Sequence, residues 1–257
     1  MSGSPQWSYV QARLQARHGE RLQESDWRAI EAARSFDQYI ERARASPLRR
    51  FAEHMNPRLS SHVAERTLRD TWRAYVAEVA NWVPSAWRQA VIWTSYLPEL
   101  PIIDAVLKGE APKWVQQDPT LAELIQVDVK RSAAPPKSPP DALVVFGAAE
   151  KTLVARWYSH WRALWPHLHM ANRRALLELT VTISAHVEQL DRADPPDTSA
   201  PYRHALALKL VRLFRKHGGS PVAVFCHLAL VALDLERLRG GLIRRRVFAP
   251  GNAKEAA

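Results

Sequence analysis

Ser46-Pro47, Asn56-Pro57, Asp118-Pro119 and Ser220-Pro221 each set a small capping side chain directly before a proline. The pairing is a helix-start signal, because the polar side chain accepts from a free first-turn amide and proline fits where its missing donor is not needed. Ser35 with Gln38, and Thr120 with Glu123, add the capping-box spacing. Cut at these points, the chain divides into about ten short helices. Glycine is scarce, at nine residues, while Ala, Leu, Arg and Glu are plentiful, so the expected fold is all-α.

Two stretches resist helix. "AAPPKSPP", residues 133–140, holds four prolines, and proline both lacks the amide donor and disfavours helix in the residue before it. A Pro-rich linker or loop is therefore expected over 132–141, between an N-terminal helical lobe, 1–131, and a C-terminal helical lobe, 142–257. "DRADPPDTSAP", residues 191–201, is a shorter break, and "DALVVFGAA", residues 141–149, reads as the start of a helix rather than a brief strand.

The helices have faces. Trp7, Val10 and Leu14 form an apolar side against Arg13, Arg17 and Arg21 on a cationic one. Trp157, Trp161 and Trp165 recur at i+4 and i+8, a stripe that suits a core or a helix–helix contact better than a cofactor box. Leu206, Leu210 and Leu213 repeat the pattern, as do Leu228, Val231, Leu235 and Leu238, which leave Arg237 and Arg239 on another side.

Chemistry is harder to find. No phosphate-binding loop, dinucleotide fingerprint or nucleophile elbow occurs, and Cys226 has only His227 beside it in an apolar run. The cluster of His160, His167 and His169 lacks an adjacent carboxylate or thiolate, so no metal, cofactor or small-molecule substrate is expected and the chain reads as non-enzymatic. The first 25 residues carry no continuous apolar segment of a secretory signal, and Pro221 to Leu233, read as the longest apolar window and interrupted by His227, falls short of the roughly 20 residues of a membrane span. A cytoplasmic protein is expected, peripheral on a membrane if it meets one. The 36 Lys and Arg exceed the 26 Asp and Glu, and a net charge of +10 favours an anionic partner: headgroups, an acidic protein face or nucleic acid. Aromatics interleave poorly with the basic segments 42–50, 212–217 and 237–246, which argues against nucleic acid.

Residues 83–110 and 220–246 echo each other, each passing from proline through apolar residues and an acid to a Gly-flanked basic end. "YVQARLQARHGERL", Tyr9 to Leu22, followed by "DWRAIEAARSFDQYIERARASPL", Asp26 to Leu48, resembles the opening of the V-type and A-type rotary ATPase central-stalk subunit, called C in prokaryotes and d in eukaryotes. Tyr9, Gln11, Ala12, Arg13 and Leu14 carry the match, whereas Ser46-Pro47-Leu48 stands where that family has a Thr-x-Tyr-like segment. "PELPIIDAVLKGE", Pro98 to Glu110, and "DLERLRGGLIRRR", Asp234 to Arg246, resemble the basic helix ends of its lobes. The resemblance implies a non-catalytic socket of helical lobes on the cytoplasmic face of a membrane rotor ring, holding the stalk for torque transmission or assembly in proton or other ion transport. Members have three lobes and are longer, so a shortened, two-lobe form is expected. Its partners would be other subunits of a membrane-associated complex, a rotor ring and stalk among them.

On this reading the double glycine Gly240-Gly241 stops the last helix and aims the arginines beyond it outward. The expected partner-binding residues are Arg13, Arg17, Arg237, Arg239, Arg244, Arg245 and Arg246. For each, pairing with a nearby acid inside the chain is as good an account, as Glu236 could with Arg239 at i+3. Two alternatives stand beside the rotor reading: a stand-alone helical scaffold or assembly factor, and a basic helical nucleic-acid-binding protein.

Overall fold

Capping chemistry and apolar spacing yield a wholly helical structure, with no strand among the described residues. In the computed structural model these are residues 5–56, 61–110, 115, 118, 121, 152–167, 170–191 and 199–247. They form α1 (Pro5–Gly19), α2 (Glu24–Glu31), α3 (Phe36–Arg44), α4 (Arg49–Ala52), α5 (Ser61–Trp82) and α6 (Ser85–Trp93). A 3-10 turn, Thr94–Glu99, leads to α7 (Leu100–Leu107); then follow α8 (Leu153–Ala163), α9 (Met170–Asp191), α10 (Ser199–Lys216) and α11 (Pro221–Val247).

Several starts follow the signals in the chain. Ser35 Oγ accepts from Gln38 N at 3.2 Å at the head of α3, although the Gln38 side chain reaches back to Arg34 N, not to Ser35. Thr152 Oγ1 accepts from Ala155 N at 3.3 Å to begin α8. Asp118 Oδ1 accepts from Leu121 N at 3.4 Å, while Thr120 and Glu123 lie outside the described residues. Pro221 opens α11, but Ser220 Oγ donates back to the His217 carbonyl at 2.6 Å instead of capping forward. Gly219, at φ 72°, turns the chain between α10 and α11, and its amide donates to Gln11 Oε1 of α1 at 2.7 Å.

α11 is the centre of the fold. Residues 222–228 are buried without interruption, so its first half is enclosed on all sides and not on one face only, as the leucine spacing alone suggested. It touches α1, α3, α5, α9 and α10. One hydrophobic core accordingly runs from Val10, Trp27 and Tyr39 through Trp72 and Val79 to Leu176, Leu210 and Leu242. The expected linker, 132–141, and the helix start expected at 141–149 lie outside the described residues. The helices on either side of them share that one core.

The tryptophan stripe is core. Trp157 and Trp161 are buried and stack at 5.8 Å, and Trp161 meets Phe225 of α11 edge-on at 4.8 Å. Trp93 Nε1 donates to the Trp157 carbonyl at 3.1 Å, and Trp157 Nε1 donates to the Trp93 carbonyl at 3.3 Å. This exchange satisfies both buried indoles and ties the end of α6 to the middle of α8.

One stretch longer than Pro221 to Leu233 is apolar: Ser85–Leu107, 23 residues whose most apolar 18-residue window has a mean hydropathy of 1.3, is long and apolar enough to cross a membrane by length and composition. In this fold it is broken by the 3-10 turn and contributes Trp87, Val91, Trp93, Leu100 and Ile103 to the core. Its one fully buried acid, Glu99, accepts from Arg73 Nε at 2.6 Å; burial pushes the Glu99 carboxyl up and the Arg73 charge pulls it back.

The two echoing segments fold differently. Residues 98–110 end α7 at Leu107, where Gly109 at φ 75° lets the Glu110 amide return to the Ala105 carbonyl at 2.8 Å. Residues 234–246 remain helical throughout, so Gly240-Gly241 is not a helix stop. The glycine there serves close approach: a methyl group built on Gly241 would overlap the Tyr39 phenol oxygen and Cζ, whereas one on Gly240 meets nothing within 4 Å. The missing Cβ is what lets the fully buried Tyr39 of α3 seat against α11.

Candidate interaction surfaces

The arginines expected to face a partner are, with few exceptions, held within the chain. Arg237 Nε and Nη2 donate to Glu31 at 2.7 and 2.9 Å, and Nη1 and Nη2 to Glu24 at 2.7 and 3.0 Å, while the guanidinium lies 4.7 Å from the Trp27 ring centre. The hydrogen bonds to Glu31 are the main cause that pushes the Arg237 pKa above its ordinary value, with partial burial opposing them. Arg239 donates to Glu65 at 3.0 and 3.1 Å and to Glu236 at 3.2 Å, the i+3 pairing foreseen in the sequence.

Because α11 continues through its glycines, the terminal arginines are not thrown outward as a group. Arg245 donates to the carbonyls of Ala33 at 2.9 Å, Glu31 at 2.5 Å and Gly241 at 2.9 Å, and covers the Tyr39 ring at 4.0 Å. Arg246 covers Phe36 at 5.0 Å. Arg244 alone of the three is exposed. Three aromatic rings of α2 and α3, at Trp27, Phe36 and Tyr39, thus each receive one arginine of α11, a cation–π clasp between the N- and C-terminal helices.

The cationic side of α1 is also engaged. Arg17 pairs with Glu20 and with Glu78 of α5, each at 3.2 Å. Just after α1, Arg21 grips Asp234 of α11 with two bonds of 2.7 and 2.8 Å, both side chains being less than one-fifth exposed. Arg13 is exposed and lies over the rings of Tyr9 and Trp82 at 5.4 and 5.8 Å.

Beside these pairs lies a buried polar contact. His227 Nε2 and the Tyr75 hydroxyl share a hydrogen bond of 2.6 Å, and Nδ1 has no partner among the described residues. Burial, reinforced by His18 and nearby arginines, lowers the His227 pKa to about 3, and burial raises that of Tyr75 to about 12. The ring is neutral at any ordinary pH. A recess of about 40 Å³ next to it, lined by Arg17, Arg21, Arg50 and Asp234, has room for little more than water. Cys226 is fully buried, and burial pushes its thiol up to about 12, far from a reactive thiolate.

A second recess, an open groove of about 850 Å³, lies between α2, the loop before it and the end of α3. Its charged lining groups are already committed: Glu20 to Arg17, Arg21 to Asp234, Asp26 to the Gln23 amide, and Arg42 to the Ala29 carbonyl. A ligand site needs polar groups that converge and remain available, and these do not. No set of three or more His, Cys, Asp or Glu side chains arranged for a metal occurs among the described residues. His160 packs on Trp93 at 4.3 Å, His167 is exposed, and His169 lies outside the described residues.

Exposed cations occur on several elements, among them Arg88 of α6 and Arg244 of α11, and they recur on α9 and α10. On α10, Lys209, Arg212 and Arg215 are exposed and have no ion-pair partner among the described residues; on α9 the same holds for Arg173 and Arg174. Leu208, 49% exposed, and Val181, 68% exposed, stand among them. The sequence reading named Arg212 as the start of a basic segment but gave weight to the chain end. The missed signal was the i, i+4, i+7 spacing of Leu208, Arg212 and Arg215 on the side of α10 opposite Leu206, Leu210 and Leu213. Neither a protein-family model, nor a curated protein, nor a solved structure matches the chain.

Proposed function

We propose that this chain is a non-catalytic helical docking protein that seats on a larger, membrane-associated assembly. The observation that carries the reading is the division of its cations. Those at positions 17, 21, 237, 239 and 245 hold the fold together, whereas those on α9 and α10 stand exposed beside aliphatic side chains. An interior in which the Tyr75–His227 pair borders only a water-sized recess supports a surface role over a chemical one.

The most specific form of the proposal rests on the resemblance of Tyr9 to Leu48: a shortened relative of the rotary ATPase central-stalk subunit, cytoplasmic and peripheral on the inner face of the membrane. A second reading, a stand-alone scaffold or assembly factor, draws on the different ends of the two echoing segments, since a repeated lobe would close both the same way. Purification of the tagged full chain from membranes of its native source separates them. Rotary ATPase subunits in the eluate support the first form, and another membrane complex supports the second. Recovery of the chain alone in the soluble fraction, or bound to nucleic acid, overturns both.

A further inference from the structure

We propose that the outward face of the α9–α10 hairpin is a docking surface for an anionic lipid bilayer. The inference deepens the docking reading above and rests on it for the membrane context.

Its first support is geometric. α9 and α10 pack on each other and on α11 through Leu176, Leu179, Leu206, Leu210 and Leu213, and Lys216 reaches Glu178 across the hairpin at 3.1 Å. With those stripes turned inward, helical spacing sets Met170, Arg174, Leu177 and Val181 along the outside of α9, and Leu208, Arg212 and Arg215 along the outside of α10. Met170 and Val181 are 73% and 68% exposed. The hairpin thus has two outward stripes, each mixing aliphatic and cationic side chains.

The second support is charge complementarity. Arg173, Arg174, Lys209, Arg212, Arg215 and Lys216 face solvent against Glu178, which is tied to Lys216, and Glu188. Screening confines each cation's reach to about 8 Å at physiological salt. A discrete acidic residue would therefore meet one or two of them, whereas a plane of anionic headgroups meets all at once. The exposed aliphatics select among anionic partners. Val181, Leu208 and Met170 gain by entering the headgroup–acyl boundary while the longer arginines and lysines remain at phosphate level. Nucleic acid would reward exposed aromatic rings, and the large exposed apolar side chains here are aliphatic.

The test is co-sedimentation of the full-length chain with vesicles of phosphatidylcholine alone and of phosphatidylcholine with phosphatidylserine. Binding is expected to the anionic vesicles only, and to weaken as salt rises. The paired change Arg212→Gln and Arg215→Gln is expected to weaken it about thirtyfold, which is roughly 1 kcal/mol per surface cation taken twice. Arg49→Gln with Arg88→Gln, which removes the same charge from exposed positions on α4 and α6, is expected to leave binding within about twofold. Val181→Gln with Leu208→Gln, which keeps every charge, is expected to weaken it severalfold; circular dichroism checks that each variant is folded. No binding to the anionic vesicles overturns the inference, as does an equal response to the two charge-removing pairs, or stronger binding to duplex DNA or polyglutamate. If the vesicles do not bind while a membrane complex still co-purifies, the lipid surface is refuted and the docking role survives. Vesicle binding without any complex refutes the docking role alone.

Discussion

Neighbouring glycines in the last helix should respond to alanine with opposite signs. Inside a helix, alanine is favoured over glycine by about 1 kcal/mol, because glycine loses more backbone freedom on folding. At Gly240 the new methyl group meets nothing within 4 Å, so Gly240→Ala should stabilise by nearly that amount. At Gly241 it would overlap the phenol oxygen and Cζ of Tyr39, a fully buried ring covered by the Arg245 guanidinium at 4.0 Å. The ring cannot move without opening the α3–α11 contact, which puts the strain near the upper end of the ~1–3 kcal/mol range for an overpacked core. Subtracting the helical gain leaves a net loss of about 2 kcal/mol, so the two variants should differ by about 3 kcal/mol. For a chain of this size that is a separation of roughly 6–12 °C in thermal midpoint, measured by circular dichroism. Tyr39→Leu, which removes the colliding atoms, should recover much of the Gly241→Ala loss in a double-mutant cycle. Equal stability of the two alanine variants would refute the seating of Tyr39 on Gly241. A loss at Gly240 would show that the helix ends at the glycines after all.

Other consequences can be read in the same way. Arg237→Ala should lower unfolding stability by about 2 kcal/mol in urea titration, the worth of its charge-assisted bonds discounted for a side chain 30% exposed; Arg237→Lys should recover less than half, since the fork to Glu24 and Glu31 needs guanidinium geometry, and full recovery would contradict this. His227 has a folded pKa of about 3 against about 6.5 unfolded, so the unfolded state binds the extra proton and stability falls as pH drops through that window. Between pH 7.5 and 5 the loss from this group is about 2 kcal/mol, or 1.5 pK units at 1.36 kcal/mol each; His227→Gln should flatten that part of the profile, and an unchanged slope would place the proton elsewhere. Cys226 should react with a thiol reagent at least about a thousandfold more slowly in the native protein than in denaturant, and rapid native labelling would contradict its burial.

What was legible in the chain was what local spacing determines. Trp157 and Trp161 were assignable to a core because a helix puts i and i+4 on one face, and Ser35 was assignable as a cap because its target amide is three residues away. The partners of Arg237 were not, since Glu24 is 213 positions distant and nothing within the last helix points to it. Arg239 had a local partner to suggest, at Glu236, and that pairing is present, as is the i+3 pairing of Arg17 with Glu20. Gly240 and Gly241 show the limit most clearly. A missing Cβ permits both a left-handed helix end, as at Gly109, and a close helix–helix approach, as at Gly241, and the residue that decides between them, Tyr39, lies in a different helix.

The charge of the chain bears on its partner in a way that pairing cannot alter. Every ion pair removes one charge of each sign, so the excess of 36 cations over 26 acids persists however many clasps the fold builds. That excess must appear on arginines and lysines without acids. α11 cannot carry much of it, because a central helix brings its cations within reach of Glu24, Glu31 and Glu65 on the helices around it. α10, with one flank inside and one outside, can. The exposure of Lys209, Arg212 and Arg215 is therefore what a central α11 predicts for a basic chain. A partner drawn by charge should be sought on that side, and variants at Arg237, Arg239 and Arg245 should act on folding before they act on binding.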